Sequence, residues 1–305
     1  MEYVQLGNSG IQSSRLVYGC MRIAGDGTRG DLDKGRRAIR AALDAGYTQF
    51  DHADIYGAGQ CEQLFGDVLR DSPSMRDRIV ITTKCGVRFA GQPAQDAPAR
   101  YDLSAAHIRA SVEGSLRRLG VEHVDLLLLH RPDYLMRADE VARAFDELKS
   151  AGKVSNFGVS NFTPAQVEWL RSATSEALVV NQVEINVHNI RALEDGTLEQ
   201  CQQLGMTSQA WCPLGGIAYP AWGNAFDAAT EQRIRIEVER QCRSYGVDAA
   251  GIALAWILRH PAGIQPIVGS TTPSRIEAAT RALELPYSRE DWYRILEARN
   301  GRPVP

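Results

Sequence analysis

The chain has 305 residues, of which 44% are hydrophobic and 23% charged, and it carries a net charge of −3 at pH 7. This is the composition of an ordinary globular domain, and with no basic run it argues against nucleic acid or an anionic membrane surface as a partner. The opening Met1-Glu2-Tyr3-Val4-Gln5-Leu6 lacks the basic and apolar regions of a secretion signal, and no apolar stretch approaches the ~20 residues of a membrane span.

Taken in chain order, Gly7-Asn8-Ser9-Gly10 predicts the turn of a small N-terminal β-hairpin, placed to plug the floor of a barrel. Leu16-Val17-Tyr18-Gly19 is the first of eight short apolar runs. The next three, at 47–50, 79–83 and 124–129, end in Asp51, Lys84 and His130. Between the last two, Ile108, Val112, Leu116 and Leu119 keep helical spacing, with Ser104 to cap the helix and Gly120 to end it. A second helix spans 139–152 on Val141, Phe145 and Leu148.

The fifth run, 157–159, ends in Ser160-Asn161, and Thr163-Pro164-Ala165-Gln166 then reads as a capping box with proline at the first helical position. The sixth, 178–180, runs into Asn181-Gln182, and the seventh, 206–210, ends in Trp211. Helical stretches at 231–245 and 249–260 precede the eighth run, 264–268, which ends in Gly269-Ser270.

Short apolar runs separated by helices read as buried parallel strands. The predicted fold is α/β: a single-domain (β/α)8 TIM barrel over residues 1–305, with the hairpin at its floor and extra helices. The irregular stretches 87–103, 187–196 and 215–227 all follow strand ends, so they are expected to rim the active face. The six cysteines (Cys20, Cys61, Cys85, Cys201, Cys212, Cys242) contain no C-x-x-C pair, which fits reduced thiols in a cytoplasm and gives no zinc site.

In such a barrel the C-terminal strand ends carry the chemistry. Asp51, Tyr56, Lys84 and His130 then form an acid–base set for a carbonyl oxygen. A phenol is a weak acid, a neighbouring ammonium lowers its pKa, and that ammonium needs a counter-ion such as Asp51. His130 is placed to orient the substrate oxygen or relay a proton. The set has no electron source, so a cofactor is required.

The last third of the chain has a place for one. Thr272 can cap and Pro273 can open a helix whose N-terminus, with Arg275, attracts an anion. Pro213-Leu214-Gly215-Gly216 is a second loop able to approach a pyrophosphate. Trp211 can stack on a flat ring, and Ser160, Asn161 and Gln182 can hydrogen-bond a carboxamide. Together these describe a nicotinamide dinucleotide held without a glycine-rich Rossmann turn.

These residues and motifs resemble the aldo-keto reductase superfamily, from about Gly7 to Glu297. The wording is similar to a bacterial oxidoreductase branch of the YdhF type: HADIYG from His52, TKCG from Thr83, LLLLHRPD from Leu126, GVSNFTPAQ from Gly158 and PIVGS from Pro266. The resemblance implies a (β/α)8 barrel, NADP(H) as cosubstrate with NAD(H) as a second option, and reversible reduction of an aldehyde or ketone. It places the catalytic tetrad at Asp51, Tyr56, Lys84 and His130. The expected cofactor contacts are Gly19, Met21, Asp51, Ser160, Asn161, Gln182, Trp211, Pro213, Leu214, Gly215, Gly216, Val268, Gly269, Ser270, Thr271, Thr272 and Arg275. The expected partner is a small carbonyl compound, with no metal, no nucleic acid and no membrane; the expected location is the cytoplasm, and the sequence leaves the oligomeric state open, with a monomer favoured.

Two departures bear on the cofactor. Ser270 and Thr271 follow Gly269 where the family often has a lysine, and Ala278 and Ala279 stand where it often has Glu and Asn.

Singly, each residue has a plainer reading. His130 alone is a structural histidine, Trp211 a core aromatic, Arg275 a solvated cation, Cys85 a small buried apolar residue, and Arg131 and Asp133 loop pins. Their joint occurrence at successive strand ends carries the reading. Two other classes compete with it. One is a metal-dependent barrel hydrolase using Asp51, His52, Asp54 and His130 as ligands. The other is an NADP(H)-binding regulatory protein without significant turnover.

Overall fold

The computed structural model describes residues 1–218 and 226–305. In chain order its strands are β1 (Tyr3–Gln5), β2 (Gln12–Ser14), β3 (Val17–Gly19), β4 (Gln49–Asp51), β5 (Val80–Cys85), β6 (Val87–Arg88), β7 (Arg100–Tyr101), β8 (Val124–Leu129), β9 (Val154–Ser160), β10 (Leu178–Glu184), β11 (Thr207–Trp211) and β12 (Gln265–Val268). Its helices are α1 (Arg29–Asp44), α2 (Gln60–Asp71), α3 (Ala105–Leu119), α4 (Ala138–Ser150), α5 (Pro164–Arg171), α6 (Thr197–Leu204), α7 (Ala228–Tyr245), α8 (Ala249–Leu258), α9 (Pro273–Ala279) and α10 (Arg289–Asn300).

Strands β3, β4, β5, β8, β9, β10, β11 and β12 neighbour one another in that order and close into a barrel. All its pairings are parallel, and closure is made by Ile267 and Val268 of β12 against Val17 and Tyr18 of β3. The expected fold class is thus found. The local signals also hold. Ser104 Oγ accepts from His107 N–H at the start of α3, and Gly120 ends that helix in the left-handed conformation. The Thr163/Gln166 capping box is complete, with Pro164 at the first position of α5.

The hairpin β1–β2 lies at the barrel floor. Leu6 is fully buried against Leu126, Leu128, Val179 and Val180, while Leu127 and Leu129 pack in the main core with Phe145 and Phe157. Gly7 N–H donates to Thr207 Oγ1 (2.7 Å), tying the turn to the start of β11. Above the floor the interior is polar, which the apolar runs did not announce. Ser13 Oγ donates to Gln49 Oε1 (2.8 Å), and Gln209 Nε2 donates to both Gln49 and Gln265. Gln182 Nε2 in turn donates to Gln209 Oε1 (3.1 Å). Four buried amides therefore satisfy one another, as buried polar groups must.

Three boundaries differ from the sequence reading. β9 begins at Val154 rather than 157. β10 continues through Asn181 and Gln182 to Glu184, because its ladder with β11 runs on to Glu184 opposite Trp211. The stretch 87–103 carries the antiparallel ribbon β6–β7. The stretch 215–227 lies partly outside the described residues. At the barrel flank, Trp256 of α8 and Trp292 of α10 stack at 4.9 Å, and each indole N–H donates to the other's backbone carbonyl. No helix among the described residues is long and apolar enough to cross a membrane.

Candidate active site

Parallel pairing sets Asp51 beside Thr82, and Cys85 beside Leu129, so the ends of β4, β5 and β8 are adjacent. Asp51 ends β4, Lys84 lies one residue from the end of β5, and His130 directly follows β8. Tyr56 arrives by a turn in which Gly57, Ala58 and Gly59 all have positive φ (55°, 52° and 91°). The two glycines adopt this conformation at little cost, and the chain doubles back.

The four predicted catalytic residues meet. Lys84 Nζ donates to Asp51 Oδ2 (2.7 Å), to the His52 carbonyl (2.8 Å) and to Tyr56 Oη (3.1 Å). Gln182 Nε2 donates to the other Asp51 oxygen (2.9 Å). The Tyr56 and His130 rings stand edge to face at 5.9 Å.

The electrostatics correct one expectation. Burial raises the Tyr56 phenol above its ordinary pKa, and the opposing pull of Lys84 does not overcome it. The resting phenol therefore holds its proton. Burial lowers the Lys84 pKa, but Asp51 and Tyr56 together outweigh that and raise it. Burial, Lys84 and Arg131 push His130 well below the ordinary histidine value, so it is neutral.

Sequence reasoning missed what holds the Tyr56 turn in place. Glu62 of α2 is 0% exposed. It accepts from Thr83 Oγ1 (2.6 Å) and Arg118 Nε (2.8 Å), so it pins α2 to β5 beside Lys84. The available signal was an acid embedded among the buried Cys61, Leu64 and Phe65 of α2.

The His52 and Asp54 side chains do not join the cluster. Both His52 ring nitrogens are buried without a hydrogen-bond partner among the described residues, and the ring packs edge-on to Phe65 at 4.5 Å. Among the described residues no three His, Cys, Asp or Glu side chains converge as metal ligands. The hydrolase reading needed Asp51, His52, Asp54 and His130 to converge, but Asp51 is bound to Lys84 and Gln182. Burial, then Lys84, lowers His52 to about 3. The unfolded chain titrates near ~6.5, so it binds more protons below that pH and stability falls with acidification. We expect His52→Phe to remove about 1.4 kcal/mol per pH unit from the stability loss between pH 6 and pH 4. Urea titrations at both pH values check this, and identical pH slopes for the two proteins would refute it.

The predicted cofactor groups line the same mouth. Ser160 Oγ donates to the Gln182 carbonyl (2.7 Å), and Asn161 Nδ2 donates to Ser160 Oγ (2.8 Å) and to the His130 carbonyl (3.3 Å). Trp211 Nε1 donates to Asn161 Oδ1 (3.0 Å). The Gln182 side-chain amino group is committed to Asp51 and Gln209, which leaves its side-chain Oε1 as an acceptor. Gly19 and Gly269 end adjacent strands, and a Cβ on Gly19 would lie 2.8 Å from Ile267 and 3.6 Å from Gly269 Cα. Met21 is exposed beside them, and Val268 is buried in β12.

Beyond them, Pro213 and Gly215 are buried, Leu214 and Gly216 half-buried. Pro273 opens α9 as expected, but the Thr272 side chain makes no cap bond. Its backbone N–H instead donates to Ser270 Oγ (3.2 Å), and its carbonyl accepts from Arg275 and Ile276. This helix end therefore has fewer free N–H groups than predicted. Thr271 is half-buried and Arg275 exposed.

Asp133 pins its loop, accepting from Leu103 and Leu135 N–H (both 2.9 Å). Arg131 does not act as a pin. Its guanidinium lies over the Trp211 ring, 5.3 Å from the centroid. The six cysteines are free thiols.

Comparison with known proteins adds a family. The family described as "Aldo/keto reductase family" matches residues 15–300. A protein of Agrobacterium fabrum named 6-dehydroglucose reductase is 40% identical, covering 96% of this chain and 97% of its own. The oxidoreductase YdhF of Escherichia coli is 39% identical over 100% of both chains. A crystal structure of a thermostable aldo-keto reductase with the inhibitor epalrestat superposes with a TM-score of 0.81 at 26% identity, covering 98% of this chain and 100% of that one.

Proposed function

The chain belongs to the aldo/keto reductase family and is an oxidoreductase, and from that premise we propose that it reduces an aldehyde or ketone to the alcohol, reversibly, with NADP(H) as cosubstrate and Tyr56 as general acid. The observation that carries the reading is one buried ammonium shared between a carboxylate and a phenol, with Lys84 Nζ 2.7 Å from Asp51 and 3.1 Å from Tyr56.

When bound, the nicotinamide supplies the hydride. The chain's own residues manage the proton. Tyr56 keeps its proton at rest and gives it to the substrate oxygen as negative charge develops there. Lys84 stabilises the phenolate left behind, and Asp51 holds Lys84 charged and in place. Neutral His130 orients the carbonyl oxygen.

The residues at the mouth fit a dinucleotide. Gly269 leaves open space that a side chain would fill, its nearest neighbour there being Gly19 O at 3.9 Å, and Trp211 offers a flat ring. Ser160, Asn161 and the Gln182 side-chain Oε1 would hold the carboxamide. Leu214, Gly215, Gly216 and Ser270 would meet the pyrophosphate. Arg275 forms no ion pair among the described residues and would meet the adenosine 2′-phosphate. The name of the Agrobacterium relative makes an oxidised sugar one reasonable first substrate.

We expect NADPH to bind more tightly than NADH. A charge-assisted bond is worth roughly 1.5–3 kcal/mol, so Arg275→Ala should weaken NADPH about ten- to a hundred-fold and NADH far less. With Ser270 and Thr271 in place of a lysine, the lower end of that range is expected. The contrast should shrink in high salt. Quenching of tryptophan emission by each cofactor measures this. Equal losses for both cofactors would free Arg275 of the role and make the enzyme dual-specific.

A further inference from the structure

Arg131 has an unusual position and no ion-pair partner among the described residues. It follows His130 at the end of β8, yet its guanidinium packs on Trp211 at the end of β11. In the barrel, β9 and β10 stand between those two strands. The side chain therefore reaches over the C-terminal opening, where it also depresses the basicity of His130.

Neighbouring cations are committed elsewhere. Lys84 is bound to Asp51 (2.7 Å), and Arg88 Nε to Asp102 (2.6 Å). Arg100 lies 4.0 Å from the same carboxylate and donates to two backbone carbonyls. Arg131 makes no ion pair and donates no hydrogen bond among the described residues. The nearest acid in sequence, Asp133, is occupied by the Leu103 and Leu135 N–H groups. A half-buried guanidinium with no counter-ion among the described residues keeps its five donors available to a ligand. The indole face holds it in position. Its planar fork matches a carboxylate with two parallel bonds.

We propose that Arg131 is the specificity-determining residue of the site and binds a carboxylate carried by the carbonyl substrate. The substrate class is then a short aldehyde acid, with its carbonyl at Tyr56 and its carboxylate at Arg131. This deepens the reductase reading above and rests on it.

The test compares succinic semialdehyde with butanal, which has a methyl group in place of the carboxylate. Glyceraldehyde serves as a neutral hydroxylated control. Rates with NADPH are measured for the wild-type protein, Arg131→Met and Arg131→Lys. A bidentate charged contact predicts about a ten- to hundred-fold preference in kcat/KM for succinic semialdehyde over butanal. Arg131→Met should abolish most of that preference, and Arg131→Lys should recover part of it. NADPH affinity, read by tryptophan quenching, should stay within about two-fold, because the lost contact is to substrate.

Equal kcat/KM for the two aldehydes in the wild-type protein overturns the proposal, as does a preference for glyceraldehyde. A large loss of NADPH affinity in Arg131→Met overturns it too, by assigning the residue to the cofactor. Reduction of butanal without preference sinks the proposal and spares the reductase reading. Reduction of none of the aldehydes sinks both.

Discussion

Tyr56→Phe deletes one oxygen atom and is expected to lower carbonyl reduction about 10²–10⁴-fold, with NADPH affinity nearly unchanged. The phenol oxygen is the atom within 3.1 Å of Lys84 Nζ, and no other group in the cluster is both protonated at neutral pH and proposed to face the substrate oxygen. His130 is held neutral by burial and by Lys84 and Arg131. The Lys84 pKa is raised by Asp51 and Tyr56, so the ammonium stays charged beside the phenol. Single-turnover rates with saturating NADPH isolate the chemical step. A Tyr56→Phe protein that turns over a demonstrated substrate at the wild-type rate would remove the phenol from the mechanism.

The second large effect is on stability as well as rate. Lys84 is 1% exposed and Asp51 2%. Removing one partner of a buried ion pair leaves an uncompensated charge, at a cost of about 3–5 kcal/mol. Lys84→Met is therefore expected to unfold at clearly lower urea and to lose reductase activity. Removing the orphaned charge as well, in the Asp51→Asn/Lys84→Met double variant, should recover part of the stability but none of the activity. Urea titrations of the three proteins measure the coupling. If Lys84→Met is as stable as wild type, the pair does not contribute to the fold in this way.

Much of the molecule was legible in the sequence because most barrel strands carry a short apolar run flanked by helix signals. Strand ends marked by Asp51, Lys84 and His130 were readable because a polar residue directly after an apolar run is a local feature. The Thr163 capping box and the Ser104 cap were readable for the same reason.

What was not legible depends on contacts across the chain. The Gln49–Gln182–Gln209–Gln265 layer joins four strands far apart in sequence, and a single glutamine in a strand gives no sign of it. Glu62 reads as a surface acid until Thr83 and Arg118 close around it. The direction of the Tyr56 shift turns on how deeply the phenol is buried against the strength of one ammonium, a balance that spacing does not contain. Arg131 looked like a loop residue because its aromatic partner lies 80 positions away, at Trp211.

In the proposed reaction this site passes a hydride from NADPH to a carbonyl while Tyr56 supplies the proton. The most direct measurement follows the nicotinamide absorbance of NADPH on mixing the protein with a panel of aldehydes and ketones, after prolonged chelation and metal-free dialysis. The expected result is aldehyde-dependent oxidation of NADPH, formation of the matching alcohol in equal amount, and no loss of rate on chelation. NADPH that binds but is not oxidised by any carbonyl would point to a regulatory protein. Activity that vanishes with the metal and returns with it would contradict the mechanism outright.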